Sequence, residues 1–244
     1  QTVLTDLWDP RDIFVDSDNF MYWLDGDGRS VWKIAANDSD INNRVNVAGD
    51  GYNPGEAPNQ LSSAQSFIVD SEGNIYVADS GNNRIMKWAP DAIEGEVVAG
   101  GNGDGQALNQ LSYPSAVALD LEGNVLVLDS NNRRVQKWIS GATEGETIIT
   151  FTDDYPTYEY PLDMQVDAKG NILVLLRVYD SNTNENYHQI KSYNSNSYES
   201  TTIIDANRGS EIGELSNPEK FTIDALGNIY VSDVGNRRIQ KYEL

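Results

Sequence analysis

The sequence predicts an all-β chain folded as a five-bladed β-propeller of four-stranded antiparallel blades, and three observations predict it. First, an Asp closing a short apolar run recurs five times, as Asp16, Asp70, Asp120, Asp167 and Asp224. A second Asp stands nine residues later in four copies (Asp25, Asp79, Asp129, Asp233), and Leu176 breaks the rule in the fourth. Second, each copy carries strand signals separated by Gly- and Asn-rich turns. Third, the last copy stops after its third strand, while the strand-like Thr2–Asp6 precedes the first copy and belongs to none. A repeat of about 50 residues made of short strands marks a propeller or a solenoid.

The second copy shows each element in order. Phe67-Ile-Val-Asp70 is a short apolar run, and Ser71-Glu-Gly-Asn74 is a turn of residues that tolerate positive φ. Ile75-Tyr-Val-Ala-Asp79, β-branched and aromatic, reads as a second strand pairing back on the first. After the turn Ser80-Gly-Asn-Asn83, the segment Arg84-Ile-Met-Lys-Trp88 alternates as a half-buried strand does. Glu96-Val-Val-Ala-Gly100 is the fourth strand. Four antiparallel strands joined by tight turns make one propeller blade.

The other copies keep this plan with local departures. The third-strand Arg recurs as Arg84, Arg134 and Arg238, and the bulky residue closing that strand as Trp88, Trp138, Tyr193 and Tyr242. The first copy holds Ser30 and Ile34 at those two places. The fourth copy aligns only if about eight extra residues are allowed within Arg177–His188, which predicts an irregular second turn. The blades are expected at 10–49, 64–100, 114–150, 161–205 and 218–244, in a single domain spanning 1–244. Residues 2–6 would complete the last blade, close the ring and remove two open sheet edges.

Several runs carry a family resemblance. Gly100-Gly-Asn-Gly-Asp-Gly-Gln-Ala-Leu-Asn-Gln-Leu-Ser-Tyr-Pro114 leads into Val117-Ala-Leu-Asp120, Gly123-Asn-Val-Leu-Val-Leu-Asp129 and Asn132-Arg-Arg-Val-Gln-Lys-Trp138. This run resembles the NHL repeat family, as do segments 53–88 and 217–242. The resemblance implies a propeller, more often six-bladed among family members, where the residues here provide five copies. It names no activity, because propellers host unrelated functions. Its implied activities range from metal-dependent lyases and lactonases on one side to binding modules on the other.

Composition narrows the partners. Lys plus Arg number 17 against 38 Asp plus Glu, a net charge of −21. Eleven of the basic residues lie on or beside third strands: Arg29, Lys33, Arg84, Lys87, Arg133, Arg134, Lys137, Lys191, Arg237, Arg238 and Lys241. The remaining surface is therefore more acidic still, and nucleic acid and anionic membranes are repelled. No apolar segment has the length of a bilayer-spanning helix, so no membrane insertion is expected. The absence of Cys excludes disulfides, a thiolate nucleophile and Cys-ligated metals. The start at Gln1 and the acidity fit an extracellular, secreted protein, with attachment to flanking domains or self-assembly left open.

The chemistry of a catalytic centre is sparse. The one His, His188, is too few for a His-based metal site of three or four ligands. It reads as a surface-loop residue in the fourth-copy insertion, with a pH-sensitive or ligand-contacting role as the alternative. The second Asp of each copy recurs with an Arg a few residues on, which reads as a structural pair holding strands two and three together. Asp16-Ser-Asp-Asn19, Asp25-Gly-Asp-Gly28 and Asn102-Gly-Asp-Gly105 are oxygen-rich turns without the spacing of an EF-hand. They leave calcium open as a cofactor, with no metal ligand and no catalytic residue assigned.

The tyrosines outside the repeat pattern are more informative. Tyr52, Tyr113, Tyr155, Tyr158 and Tyr160 fall in linking segments, and Tyr179 and Tyr187 in the insertion. In a propeller the turn from strand two to three and the link leaving strand four open on one face, so all seven can share a surface. Tyr beside Asn and Asp suits carbohydrate or protein contact, the ring stacking while its hydroxyl bonds. The expected binding residues are Tyr52, Tyr113, Tyr155, Tyr158, Arg177, Tyr179, Tyr187 and His188. The expected function is a non-enzymatic, extracellular binding or scaffolding propeller for a protein or glycan. The alternatives are a metal-dependent hydrolase or lyase acting in the central channel, or a structural repeat of a larger secreted or filament-forming protein.

Overall fold

The computed structural model describes residues 10–51 and 53–243. The first sheet holds β1 (Asp12–Val15), β2 (Phe20–Leu24), β3 (Val31–Ala35) and β4 (Val45–Ala48). The second holds β5 (Ser66–Val69), β6 (Ile75–Asp79), β7 (Arg84–Trp88) and β8 (Glu96–Gly100), and the third β9 (Pro114–Leu119), β10 (Val125–Asp129), β11 (Arg134–Trp138) and β12 (Glu146–Thr150). The fourth is longer: β13 (Thr157–Val166), β14 (Ile172–Asp180), β15 (Glu185–Tyr193) and β16 (Ser200–Asn207). The fifth has three described strands, β17 (Pro218–Ile223), β18 (Ile229–Asp233) and β19 (Arg238–Tyr242). In every sheet the strands neighbour one another in chain order. These are the blades of a five-bladed β-propeller. The strand expected at Thr2–Asp6 lies outside the described residues.

Each repeated residue has a local task. The first Asp of a copy organises the turn between strands one and two. Asp70 Oδ1 accepts from Glu72 N and Asn74 N at 2.9 and 2.8 Å, and Asp70 Oδ2 from Asn74 Nδ2 at 2.7 Å. Asp120, Asp167 and Asp224 do the same with Asn124, Asn171 and Asn228. In the first copy Phe20 stands in the Asn place, and Asp16 Oδ2 accepts from the Tyr22 hydroxyl at 3.0 Å instead. Gly73, Gly123, Gly170 and Gly227 occupy these turns at φ between +81° and +89°, where a side chain is strained.

The second Asp pairs with the third-strand Arg as the sequence indicates. Arg84 Nε donates to Asp79 Oδ2 at 2.7 Å, Arg134 Nε to Asp129 Oδ2 at 2.7 Å, and Arg238 Nε to Asp233 Oδ2 at 2.8 Å. The guanidinium of Arg84 also bonds the carbonyls of Glu56, Ala57 and Gln60, so one side chain fastens the preceding link to its sheet. Asp79 further accepts from Ser62 N and Asn82 Nδ2. Burial pushes its carboxyl up, and these hydrogen bonds together with Arg84 pull it back.

The described residues form two compact units: residues up to Val117 with Trp138–Glu146, and Ala118–Lys137 with Thr147–Leu244. In the first, Leu24, Val31, Leu61, Phe67, Val77, Met86 and Trp88 make a continuous core. Asp12 Oδ2 accepts from Phe67 N, tying the first strands of the first two sheets. In the second, Leu173, Leu175, Ile190, Ile204, Phe221 and Val231 do the same. There Asp163, at the same repeat position as Asp12, accepts from Phe221 N at 3.0 Å and from Lys220 Nζ at 3.2 Å.

The fourth-copy insertion is a correction to the sequence reading. It is not an irregular turn. Between the facing positions Leu176 and Gln189 run residues 177–188, where the second sheet has only 80–83 between Asp79 and Arg84. The extra residues pair as Arg177↔His188, Val178↔Tyr187, Tyr179↔Asn186 and Asp180↔Glu185, lengthening the hairpin. Strand β13 lengthens with it, since Thr157–Tyr160 pair with residues 177–180.

Candidate functional site

The lengthened end of the fourth sheet gathers most of the expected binding residues. Cross-strand partners point to one face of a sheet, and successive residues alternate. Tyr158 faces Tyr179, Tyr160 faces Arg177, and Arg177 faces His188. One face therefore carries Tyr158, Tyr160, Arg177, Tyr179 and His188. The Tyr158 and Tyr179 rings stack, with centroids 6.1 Å apart and planes inclined by 30°. The Tyr179 hydroxyl donates to Asn184 Oδ1 at 3.1 Å, and the Tyr155 hydroxyl to Asn182 Oδ1 at 3.0 Å. Ser181 N and Oγ both donate to Pro156 O, at 2.9 and 3.0 Å, holding the hairpin tip against the start of β13.

Two guanidinium groups converge on Tyr160. That of Arg177 lies 4.7 Å and that of Arg133 4.6 Å from its ring centre, both within cation–π range. Arg133 occupies the left-handed position after the third sheet's second turn, at φ +50°, and pairs with Asp153. Arg177 has no carboxylate partner among the described residues.

His188 overturns the surface-loop expectation. It lies within β15 and is only 3 % exposed, and its Nδ1 makes no hydrogen bond. Burial, then the charges of Arg177 and Arg208, pull its pKa down to about 4 against the opposing pull of Asp233. The ring is therefore neutral near pH 7. Its place on the fourth sheet is fixed by the row Arg177, His188, Ala206.

Not all expected residues join this cluster. Tyr187 faces Val178, so it points from the opposite side of the sheet, the side of Glu159 and Lys191. Tyr113 is exposed in the first unit, and Tyr52 lies outside the described residues. Arg133, which the sequence marks only as a basic residue beside a third strand, joins the site in the folded sheet, as do Asp153, Arg208 and the amides of Asn182 and Asn184. Arg133 stands where the second copy has Asn83, an exchange of an amide for a guanidinium.

A concavity belongs to the first unit, a cavity of about 550 Å³. Phe20, Tyr22, Lys33, Asn43, Glu72 and Pro90 are among its lining residues. The Lys33 ammonium sits 4.1 Å from the Phe20 ring centre and 5.0 Å from that of Tyr22. Among the described residues no three His, Asp or Glu side chains converge as a metal-ligating group. No helix of the described residues is long and apolar enough to cross a membrane.

Comparison with known proteins agrees with this architecture. Residues 61–88 and 215–242 match the NHL repeat model. No curated protein matches the sequence. Among solved structures, virginiamycin B lyase from Staphylococcus aureus superposes with a TM-score of 0.56 at 12 % identity, covering 96 % of this chain and 84 % of that one. A protein of unknown function from Bacteroides caccae gives a TM-score of 0.57 at 14 % identity, with 94 % and 72 % covered. A gluconolactonase from Xanthomonas campestris gives 0.52 at 12 % identity, with 71 % and 55 % covered. At such identities the likeness is one of fold. The matched repeats, with their Asp–Arg pairs on the second and fifth sheets, make this chain a β-propeller that carries NHL repeats.

Proposed function

We propose that the chain is a non-enzymatic binding module that works outside the cell and recognises a glycan through the lengthened end of its fourth sheet. The observation that carries this reading is the stacked Tyr158–Tyr179 pair with Asn182 and Asn184 beside it. Aromatic rings offer flat apolar area at small entropic cost, and neighbouring amides supply the donors and acceptors that hydroxyl groups need. The Asn184 amide already holds the Tyr179 hydroxyl, so the platform is organised before a ligand arrives. The strongly acidic chain, −21 in net charge, supports solubility in an extracellular setting and disfavours phosphate-rich partners.

The test is to replace residues 177–188 by the four-residue turn Ser-Gly-Asn-Asn of the second sheet and screen both proteins on a glycan array. The expected result is a set of glycans bound by the natural chain and lost in the shortened one, with unchanged far-UV circular dichroism. Equal binding by both proteins overturns the assignment to the fourth sheet. Retention of a protein ligand with no glycan bound moves the function to protein recognition.

A further inference from the structure

We infer that the fourth-sheet site is specific for a sugar carrying a carboxylate, held by Arg177 and Arg208 beside His188. This deepens the glycan-binding reading and rests on it.

The first observation is where positive charge is left uncompensated. Across this acidic chain most basic side chains near strands are spent on carboxylates: Arg84, Arg134 and Arg238 on the repeated Asp, Lys137 on Asp120, Lys191 on Glu159 and Lys220 on Asp163. Arg133 is spent on Asp153. Arg177 and Arg208 are both exposed and, like Lys33, Lys87 and Arg237, have no ion pair among the described residues; they differ in lying on one sheet on either side of His188. Two guanidinium groups lie over the Tyr160 ring, and of the two only Arg133 pairs with a carboxylate, Asp153. One positive charge there has no counter-charge.

The second observation is independent. Cross-strand pairing places Arg177, His188 and Ala206 in one row, and Arg208 follows Ala206 by two residues. The buried His188 between them has an unpartnered Nδ1. A buried polar atom without a partner costs about 1–3 kcal/mol, so its persistence in a well-packed sheet calls for a reason. Arg177 is the cross-strand partner of His188 and Arg208 lies two residues beyond its other partner Ala206, so both charges act on the imidazole. A carboxylate seated on the two guanidinium groups would lower the local positive potential and draw the imidazole into a donor role.

The third concerns the kind of anion. The two arginines offer planar donors suited to a carboxylate. The adjoining Tyr158–Tyr179 stack and the Asn182 and Asn184 amides suit a ring bearing hydroxyl groups. An acidic peptide would bring several charges against a surface of the same sign, whereas a single sugar carboxylate brings one.

The test uses galacturonate, its methyl ester and neutral galactose, with calorimetry and proton NMR of the one imidazole in the chain. The acid is expected to bind, and the ester and the neutral sugar to bind at least about tenfold more weakly, as loss of a charge-assisted pair implies. Arg177→Met and Arg208→Met, both at exposed positions, are each expected to weaken the acid by about tenfold and to narrow the difference between the acid and its ester. The His188 titration midpoint is expected to rise by roughly one pH unit on saturation with the acid, since a nearby anion favours imidazolium. If the ester binds as tightly as the acid, the carboxylate inference falls while glycan binding stands. If acid binding survives both arginine changes and His188 does not shift, the site assignment falls. If no sugar binds at millimolar concentration, both this inference and the glycan reading fall. If an acidic peptide binds with the same arginine dependence and the sugars do not, the sugar assignment is overturned.

Discussion

Leu176 and Gln189 stand opposite each other in the fourth sheet, at the places where three other sheets join an aspartate to an arginine. The exchange is coherent. Leu176 is fully buried, and Gln189 turns to Asp205 on the neighbouring strand. A buried ion pair fixes the short turn elsewhere, while here four further residue pairs continue the hairpin and no such tie is required.

This contrast gives a stability prediction. Asp79→Leu alone leaves Arg84 in a buried site without its counter-charge, and about 3–5 kcal/mol of stability should be lost. The pair Asp79→Leu with Arg84→Gln copies the fourth sheet, and its loss should fall well short of the sum of the single changes. Urea denaturation of the four proteins in a double-mutant cycle measures the difference. Additivity would show that the carboxylate and guanidinium do not depend on one another.

The Asp–Arg pairs could be read from sequence because each was repeated with its turn, so three copies averaged out local noise. The same holds for Trp88 and Trp138, both buried at one repeat position. What escaped was the fate of the insertion. Arg177-Val-Tyr-Asp and Glu185-Asn-Tyr-His do alternate, but four Asn and Asp residues within 180–186 gave the segment the composition of a loop. Burial of His188 was not legible either. It depends on β16, whose Ala206 faces His188 only in the folded sheet.

The His188 imidazole makes stability pH-dependent over a defined window. Its folded pKa of about 4 lies below the ordinary 6.5, so the unfolded chain takes up a proton first as pH falls. Stability is therefore full above pH 6.5 and declines as pH falls towards 4, by up to about 3 kcal/mol. Carboxylates with depressed pKa values, such as Asp120, add their own loss at lower pH. Comparing Tm from pH 7 to pH 4 for the natural chain and His188→Gln isolates the imidazole, and the variant should show the shallower slope. Parallel curves would contradict the burial of a neutral ring.

Gly95 and Trp88 make a second structural test. A Cβ at Gly95 would lie 2.7 Å from the Trp88 ring, and one at Gly145 would lie 2.5 Å from Trp138. Both rings are buried, so neither can swing away freely. Gly95→Ala and Gly145→Ala should each cost about 1–3 kcal/mol through overpacking. Gly123→Ala is the contrasting change: its Cβ meets nothing within 4 Å, and only its φ of +81° opposes substitution. Thermal denaturation ranks the three, and equal losses would assign the cost to the backbone rather than to the tryptophans.

The oxygen-rich turns make a prediction about calcium. Asp16 Oδ1 accepts from Asp18 N and Phe20 N, and Oδ2 from the Tyr22 hydroxyl. Asp25 Oδ1 accepts from Arg29 N. These carboxylates are occupied by donors, and a cation would have to displace them. Millimolar calcium should therefore leave Tm unchanged, and a chelator should do the same. A large upward shift would reveal an ion bound to the folded state, since such binding raises stability by mass action.

Tyr179 and Tyr187 separate the two sides of the lengthened hairpin. Tyr179 stacks on Tyr158 and bonds Asn184, on the face that carries Arg177. Tyr187 faces Val178 on the other side, and burial raises its phenol above the ordinary range. Tyr179→Ala removes the platform and should weaken a bound glycan by about tenfold or more, as loss of a central aromatic anchor does. Tyr187→Ala should lower stability by about 1–3 kcal/mol through lost packing and leave affinity within about twofold. Affinity measured by calorimetry beside Tm for each variant reads the two effects separately. Weakening by Tyr187→Ala and not by Tyr179→Ala would place recognition on the side of Glu159 and Lys191, where a salt bridge already occupies the charges.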